Sequence, residues 1–243
     1  MNRGENIGPT HHVRGLAPNA WPVTRPAKET SVRIDFVSDV ACPWCAIGLA
    51  SLELALARIG KVLAVDVHFQ PFELNPTMPP EGADTVQYLS RKFGIDALQI
   101  ARNQASIRAR GAAVGFAFGE RKRVWNTFDA HRLLYWAGAE GPPGSQLVLK
   151  RALLRAYHGE GRNPGAHDVL LELVAQAGLD AGRAREILAS DTLTDEVRDA
   201  EHFWQQAGIH AVPSIVIDRA QLIQGAQPPE VLQEALRRIG GEA

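Results

Sequence analysis

The stretch SVRIDFVSDVACPWC, residues 31–45, decides the fold, and AIGLASLELALARIG, residues 46–60, completes its reading. Val32, Ile34 and Phe36 alternate with polar neighbours, which is the period-two pattern of a strand. From Pro43 to about Ile59 the apolar residues Ile47, Leu52, Leu54, Leu56 and Ile59 recur among helix formers, and Gly60 supplies a stop. A close pair of cysteines, Cys42 and Cys45, therefore sits where a strand gives way to a helix. Pro43 suits the first helical turn, because its missing N–H would have had no intrahelical partner. Leu63–Phe69 (LAVDVHF) predicts a second strand ended by Pro71, so the region forms a β-α-β unit.

Beyond Asn75-Pro76 and Pro79-Pro80 the pattern turns helical, over about 84–93, 96–113, 127–139, 144–157, 167–177 and 181–189. Gly94, Gly115, Gly141-Pro142-Pro143 and Asn163-Pro164-Gly165 punctuate it. Residues 76–190 thus read as an inserted helical subdomain. A helix over 195–206 ends at Gly208, and strands return at 213–218 and 221–224 with a tight connection at Asp218-Arg219-Ala220. Pro228 opens a last amphipathic helix carrying Val231, Leu232, Ala235, Leu236 and Ile239. No fixed-period repeat runs through the chain, which argues against solenoids and propellers.

Composition narrows the function classes. With 45% hydrophobic residues over 243 positions, the chain has ample material for one large domain or a domain with an insertion. A net charge of -1, from 26 basic and 27 acidic residues without a basic stripe, argues against nucleic acid as a partner. Apolar runs break well short of the roughly 20 residues a spanning helix needs, so no membrane anchor is expected. Residues 1–30, with scattered Gly and Pro and no period, read as a flexible tail in which His11-His12 are solvated. The tail lacks the apolar core of a secretory signal, so the expected location is cytoplasmic. In that reducing compartment a close cysteine pair is more often catalytic, redox-sensing or metal-binding than structural.

Several separated motifs occur in order: CPWC between strand and helix, HFQPFELNP (68–76), NTFDAHR (126–132), AVPSIVID (211–218) and GAQPPEV (225–231). Together they resemble the DsbA family, specifically its FrnE-like branch, over about Ser31 to Ile239. The resemblance implies an α/β protein with a thioredoxin fold, residues 31–75 and 191–243, interrupted by the all-helical subdomain. It also implies a nucleophilic Cys42, a resolving Cys45 and a cis-proline loop facing them. Two positions depart from the family pattern. Ala46 stands where many relatives carry an aromatic residue and Ser214 where they often carry Phe, which leaves the shape of the substrate groove open.

The chemistry of the pair follows from its place. Unpaired N–H groups and the dipole at a helix start stabilise an anion, and such sites lower a thiol pKa from about 8.5 to roughly 3.5–7.5. Cys42 falls at that start, and Cys45 lies one turn further in, more shielded. Trp44 brings no charge to the thiolate, so a milder depression is expected than a His or Arg there would give, and the protein is expected to be a moderate oxidant at most. Its ring either offers substrate a flat apolar contact or packs on its own subdomain. A zinc site would need two further ligands, and no His-x3-His or second Cys-x2-Cys spacing supplies them; no metal is expected. Inert core thiols would not explain the strand–CPWC–helix setting.

Other candidates are weaker. His131 is a proton-transfer or substrate-orienting candidate; a packed, hydrogen-bonded His beside a helix cap at Asn126 or Thr127 is the commoner arrangement. Arg121-Lys122-Arg123 could attract an acidic thiol such as glutathione, though such runs are usually solvated. Phe69, Phe72, Trp125, Trp136 and Trp204 read as core or interface residues. GAAVGFAFG (111–119) lacks the preceding strand and Lys-Ser/Thr ending of a phosphate loop, so no nucleotide is assigned. Only about 5–6% of X-Pro bonds are cis, but Pro213 precedes a strand where thioredoxin-like folds place the loop facing the nucleophile. The Val212-Pro213 bond is therefore predicted cis, offering its backbone to an extended substrate.

The leading expectation is a dithiol oxidoreductase or disulfide isomerase acting on protein or small-molecule thiols, with Cys42 and Cys45 catalytic and Pro43, Trp44, Val212, Pro213 and His131 lining the substrate site. It requires no cofactor, takes glutathione as a redox partner, and acts as a monomer or homodimer. The alternatives are a glutathione-dependent enzyme similar to 2-hydroxychromene-2-carboxylate isomerase or kappa glutathione transferase, which share the fold without depending on CxxC, and a non-enzymatic redox-sensing module.

Overall fold

A computed structural model describes residues 13–15 and 31–241. The expected flexible tail and His11-His12 lie outside the described residues, apart from Val13–Gly15, which forms a strand. In chain order the first elements are β1 (Val13–Gly15), β2 (Val32–Ser38), α1 (Pro43–Ile59), β3 (Val65–Pro71), β4 (Ala83–Asp84), α2 (Thr85–Phe93), α3 (Ala97–Ala113) and β5 (Arg123–Val124). They are followed by α4 (Phe128–Ala139), α5 (Ser145–Leu154), α6 (His167–Gln176), α7 (Ala181–Leu188), α8 (Thr194–Gln206), β6 (Ser214–Ile217), β7 (Gln221–Gln224) and α9 (Pro229–Ile239). This is the thioredoxin fold with a helical insertion.

The sheet runs β1-β7-β6-β2-β3, with β2 parallel to β3 and the other pairs antiparallel. The parallel pair needs a crossover, and α1 supplies it. On one face Ile34, Phe36, Ile215 and Ile223 pack with Leu49, Leu52, Leu232 and Leu236 of α1 and α9. On the other, Val37, Val216 and Leu222 meet Phe72, Trp204 and Ile209. β2 is thus covered on both faces, and the polar positions of its alternation are not all solvated. Asp35 is buried, and its carboxylate accepts from Arg33 at 2.9 and 2.7 Å and from Gln70 at 2.8 Å.

The insertion has its own core, in which Leu133, Leu149, Leu153, Tyr157, Leu170 and Ile187 are fully buried. It is tied to the open edge of β3 by Gln146, whose side chain accepts from Phe69 N at 2.9 Å and donates to Phe69 O at 3.0 Å. An amide side chain here takes the place of a neighbouring strand and covers the edge. Besides β1, several elements differ from the sequence reading. Pro71 is the last residue of β3 rather than a stop before it, which an edge strand tolerates. The helix expected to run to Tyr157 ends as α-helix at Leu154 and continues as a π-helical turn over Arg155–Gly159. The two-residue strands β4 and β5, paired with each other, carry no pattern long enough to detect.

Two local details fix the ends of the sheet. Asp218 and Arg219 both adopt left-handed φ, 47° and 53°, the type I′ geometry that matches the twist of a tight hairpin. The Asp218 carboxylate also accepts from Arg33 N at 2.9 Å, locking the turn to β2. On α1, Gly48 lies against the proline of the 212–213 loop: a Cβ there would stand 2.9 Å from Pro213 Cγ and 3.6 Å from Phe36 Cζ. The proline ring cannot swing away as a flexible side chain would. Gly48→Ala is therefore expected to cost about 1–3 kcal/mol by overpacking, read as a lower thermal midpoint by roughly 2–4 °C per kcal/mol. An unchanged midpoint would show that the loop yields freely.

Candidate active site

Cys42 is the N-cap residue of α1, with extended backbone (φ −86°, ψ 115°), and Pro43 occupies the first helical turn. Cys45, one turn on, donates its N–H to Cys42 O at 3.1 Å. Both thiols are free and both are buried, Cys42 at 3% and Cys45 at 0% exposure. The Cys45 thiol hydrogen-bonded to its sulfur, with the N–H groups of Cys45 and Trp44, holds the Cys42 thiol below its ordinary value against burial and the negative Asp39. Burial, then the adjacent Cys42 sulfur, push Cys45 well above its ordinary value, with Lys150 opposing. The two sulfurs are thus set apart as a readily ionised thiol and a reluctant one. Opposite them the Val212-Pro213 bond is cis, and Cys42 Sγ donates to Val212 O at 3.6 Å. Ser214, where relatives often carry Phe, donates its hydroxyl to Ala211 O at 2.8 Å and so clips the same loop.

The three residues before Cys42 are held by the insertion. Asp39 Oδ1 accepts from Ala41 N at 2.9 Å, from Thr127 Oγ1 at 2.8 Å and from His131 Nε2 at 3.4 Å, while Oδ2 accepts from Leu74 N at 2.8 Å. Burial would raise this carboxyl, but the hydrogen bond and charge of His131 and the N–H groups of Leu74 and Ala41 outweigh it and hold Asp39 low. Val40 O accepts from His158 Nε2 at 2.8 Å and Ala41 O from Arg121 Nη1 at 3.2 Å. Arg121 also donates to His158 Nδ1 at 3.3 Å and lies over the Tyr157 ring. His158, which reaches the redox loop, and Tyr157, whose hydroxyl donates to Arg123 O at 3.2 Å, both lie in the π-helical turn.

Beside Pro43 opens a groove of about 530 Å³, lined by Gln104, Arg108, Phe118, Arg121, Lys122 and His158. Asp84 and Glu120 also border it, the first of them capping α2 through Gln87 N at 2.9 Å. A family model described as the DSBA-like thioredoxin domain matches residues 33–237. The chain belongs to the DSBA-like thioredoxin domain family. A structure described as a probable DsbA oxidoreductase from Streptomyces coelicolor is 36% identical, with a TM-score of 0.78 over 87% of this chain and 91% of that one. YwbO of Bacillus subtilis (strain 168), an uncharacterized protein, is 25% identical over 85% of this chain and 96% of its own length. At 19% identity the likeness is one of fold: the cytosolic disulfide reductase DsbM of Pseudomonas aeruginosa, solved with GSH, has a TM-score of 0.57 over 85% of this chain and 98% of its own. Membership of the DSBA-like family carries a general thiol–disulfide oxidoreductase role.

Within this DSBA-like frame the structure brings Cys42, Pro43, Trp44, Cys45, Val212 and Pro213 together. Trp44 is half-buried against the main core. His131 is not among them on the surface: it is 2% exposed and its bond goes to Asp39, behind the loop. Thr127 stands at the N-cap of α4 but gives its hydroxyl to Asp39, while Asn126 Oδ1 accepts from Phe128 N at 2.8 Å. Among the described residues no cluster of three or more His, Cys, Asp and Glu is placed to hold a metal, and no helix is long and apolar enough to cross a membrane. Asp39, Lys150 and His158 were not singled out by pattern. Lys150 is buried on α5, where desolvation lowers its ammonium while Cys45, Asp39 and Cys42 pull it back up.

His158 yields a pH prediction. Burial, then the charge of Arg121, hold it well below its ordinary value, so it stays neutral in the fold. In the unfolded chain it takes a proton below about pH 6.5. Between those two values the unfolded state binds the extra proton, so stability falls as pH drops, by up to about 1.4 kcal/mol per pH unit from this one group. His158→Gln, which can keep a donor toward Val40 O, is expected to flatten the stability-versus-pH curve from about pH 6.5 downward. Denaturant melts of both proteins across that range check it, and parallel slopes would refute it.

Proposed function

We propose that the chain is a protein-disulfide oxidoreductase or isomerase that works by dithiol–disulfide exchange, with Cys42 as nucleophile and Cys45 as resolving thiol. Cys42 thiolate attacks one sulfur of a substrate disulfide, forming a Cys42–substrate mixed disulfide and releasing the other substrate sulfur as a thiolate. Cys45 then gives up its proton and attacks Cys42 Sγ, closing a Cys42–Cys45 disulfide and releasing the second substrate thiol. The substrate gains the two electrons that the cysteine pair loses, and the reverse sequence oxidises a dithiol. The observation that carries this reading is the division between the sulfurs, Cys42 lowered at the start of α1 and Cys45 raised one turn inside it.

The cis-proline loop supports a substrate role for Val212, whose carbonyl already faces the nucleophile. The groove beside Pro43, with Arg108, Arg121 and Lys122 against Asp84 and Glu120, suits a small anionic thiol, and glutathione is the redox partner proposed. That DsbM is described as a cytosolic reductase solved with GSH supports this partner and a cytoplasmic setting. No further cofactor is needed for the exchange, which the two sulfurs carry between them. The proposed FrnE-like placement rests on CPWC and the motifs of residues 68–76, 126–132, 211–218 and 225–231 taken together in order. A glutathione-dependent isomerase or transferase would also use the groove, but would not need Cys45.

The test is trapping. A Cys45→Ser variant incubated in cell extract is expected to hold its substrate as a disulfide on Cys42, identified by mass spectrometry after non-reducing separation. A protein adduct marks a protein-disulfide enzyme and a glutathione adduct marks a small-molecule one. Undiminished turnover by this variant, with nothing trapped, would overturn dithiol exchange in favour of the isomerase or transferase reading.

A further inference from the structure

Cys42 has to meet its substrate, yet it is only 3% exposed, and an arginine of the insertion spans the site around it. Arg110, in the last turn of α3, places its guanidinium 4.9 Å from the centre of the Trp44 ring and donates from Nη2 to Ala226 O at 3.0 Å. Trp44 belongs to the redox motif itself. Ala226 follows Gly225, whose N–H is bonded to Pro213 O at 2.8 Å, so it belongs to the opposite wall, that of the cis-proline loop. One arginine therefore bridges the two sides of the site.

The arm that carries it is lightly anchored. Across α2 and α3 only Thr85, Ile100 and Gly111 are buried, while Val86, Phe93 and Leu98 face solvent. The arm is held at its C-terminal end, next to Arg110: a Cβ on Gly111 would stand 2.4 Å from the Phe118 ring and 2.8 Å from Phe116 O, so helix and following loop are in direct contact there. A segment with so few buried apolar contacts opens at small free-energy cost. The groove beside Pro43 stays open without any such movement.

We propose that Arg110 is a specificity-determining residue: its side chain latches the Trp44 side of the redox motif to the segment beside the cis-proline loop, so that bulky disulfides reach Cys42 only when this bridge opens while small ones are impeded less. The proposal rests on Cys42 being the nucleophile of the exchange reaction, and its test reads access to the sulfur rather than turnover, so the two fail separately. In the Cys45→Ser background Cys42 is the sole thiol. Its modification rates are measured with N-ethylmaleimide and with a polyethylene-glycol maleimide, reagents of one chemistry and two sizes. Their ratio cancels any change in the nucleophilicity of the sulfur. Arg110→Ala is expected to raise the bulky-to-small ratio by about three- to tenfold, the span of one partly exposed cation–π contact and one hydrogen bond. Arg110→Lys, which keeps a cation but not the planar fork, is expected to fall between. Amide hydrogen exchange over residues 97–113 is expected to quicken in the alanine variant. An unchanged ratio, with both reagents equally fast or equally slow in all three proteins, would overturn the latch.

Discussion

Cys42→Ser is expected to abolish disulfide reduction, the insulin-reduction rate falling by on the order of 10³-fold or more as for other removed nucleophiles. Cys45→Ser is expected to lose steady turnover but not the first attack, giving one equivalent of released thiol and then a stalled mixed disulfide. The asymmetry follows from the geometry. Only Cys42 caps α1, where the Cys45 thiol and the nearby N–H groups of Cys45 and Trp44 favour its thiolate. Cys45, fully buried and pushed up by desolvation, attacks only once a mixed disulfide has formed beside it. Turnover retained by Cys42→Ser would contradict the assignment.

The second large effect is expected at Asp39. Its carboxylate receives four donors, two of them backbone N–H groups, inside the protein. Asp39→Ala leaves Thr127, His131 and the Ala41 and Leu74 amides facing a void, a loss of about 3–5 kcal/mol for a buried charged partner. The thermal midpoint is expected to fall by roughly 6–20 °C at 2–4 °C per kcal/mol. Asp39→Asn keeps an acceptor oxygen and removes the charge, so it is expected to lose less stability. Because the Asp39 charge raises the Cys42 thiol, this variant is also expected to shift Cys42 alkylation to lower pH. A melt unchanged in Asp39→Ala would show that the insertion does not hold the redox loop through this group.

What could be read from the sequence was what has a period or a fixed local chemistry. The strand–CPWC–helix junction shows in alternation and in Pro43, the hairpin in Asp218-Arg219, and the helical insertion in its long apolar recurrence. The polar layer beneath the site has neither. Asp39 meets Thr127 and His131, and Val40 meets His158, across separations of many tens of residues, and nothing in their own neighbourhoods marks these contacts. For His131 the sequence offered a proton-transfer role and, as the commoner case, a packed, hydrogen-bonded His, but not its partner Asp39. The π-helical turn is invisible for a similar reason, since a single wider turn leaves the helical composition unchanged, and His158 within it bonds Val40 O. Arg110 carries no signal in its own neighbourhood, and gains meaning only from Trp44 and Ala226 across the site.

The most direct measurement of the central claim is the state of the two sulfurs after mild oxidation. Reduced wild-type protein treated with glutathione disulfide, quenched in acid and digested, is expected to lose two hydrogens in the peptide that spans Cys42 and Cys45 and to show a transient glutathione adduct on Cys42 alone. Recovery of both thiols in the free form, or a stable adduct on Cys45 with Cys42 unmodified, would contradict the account.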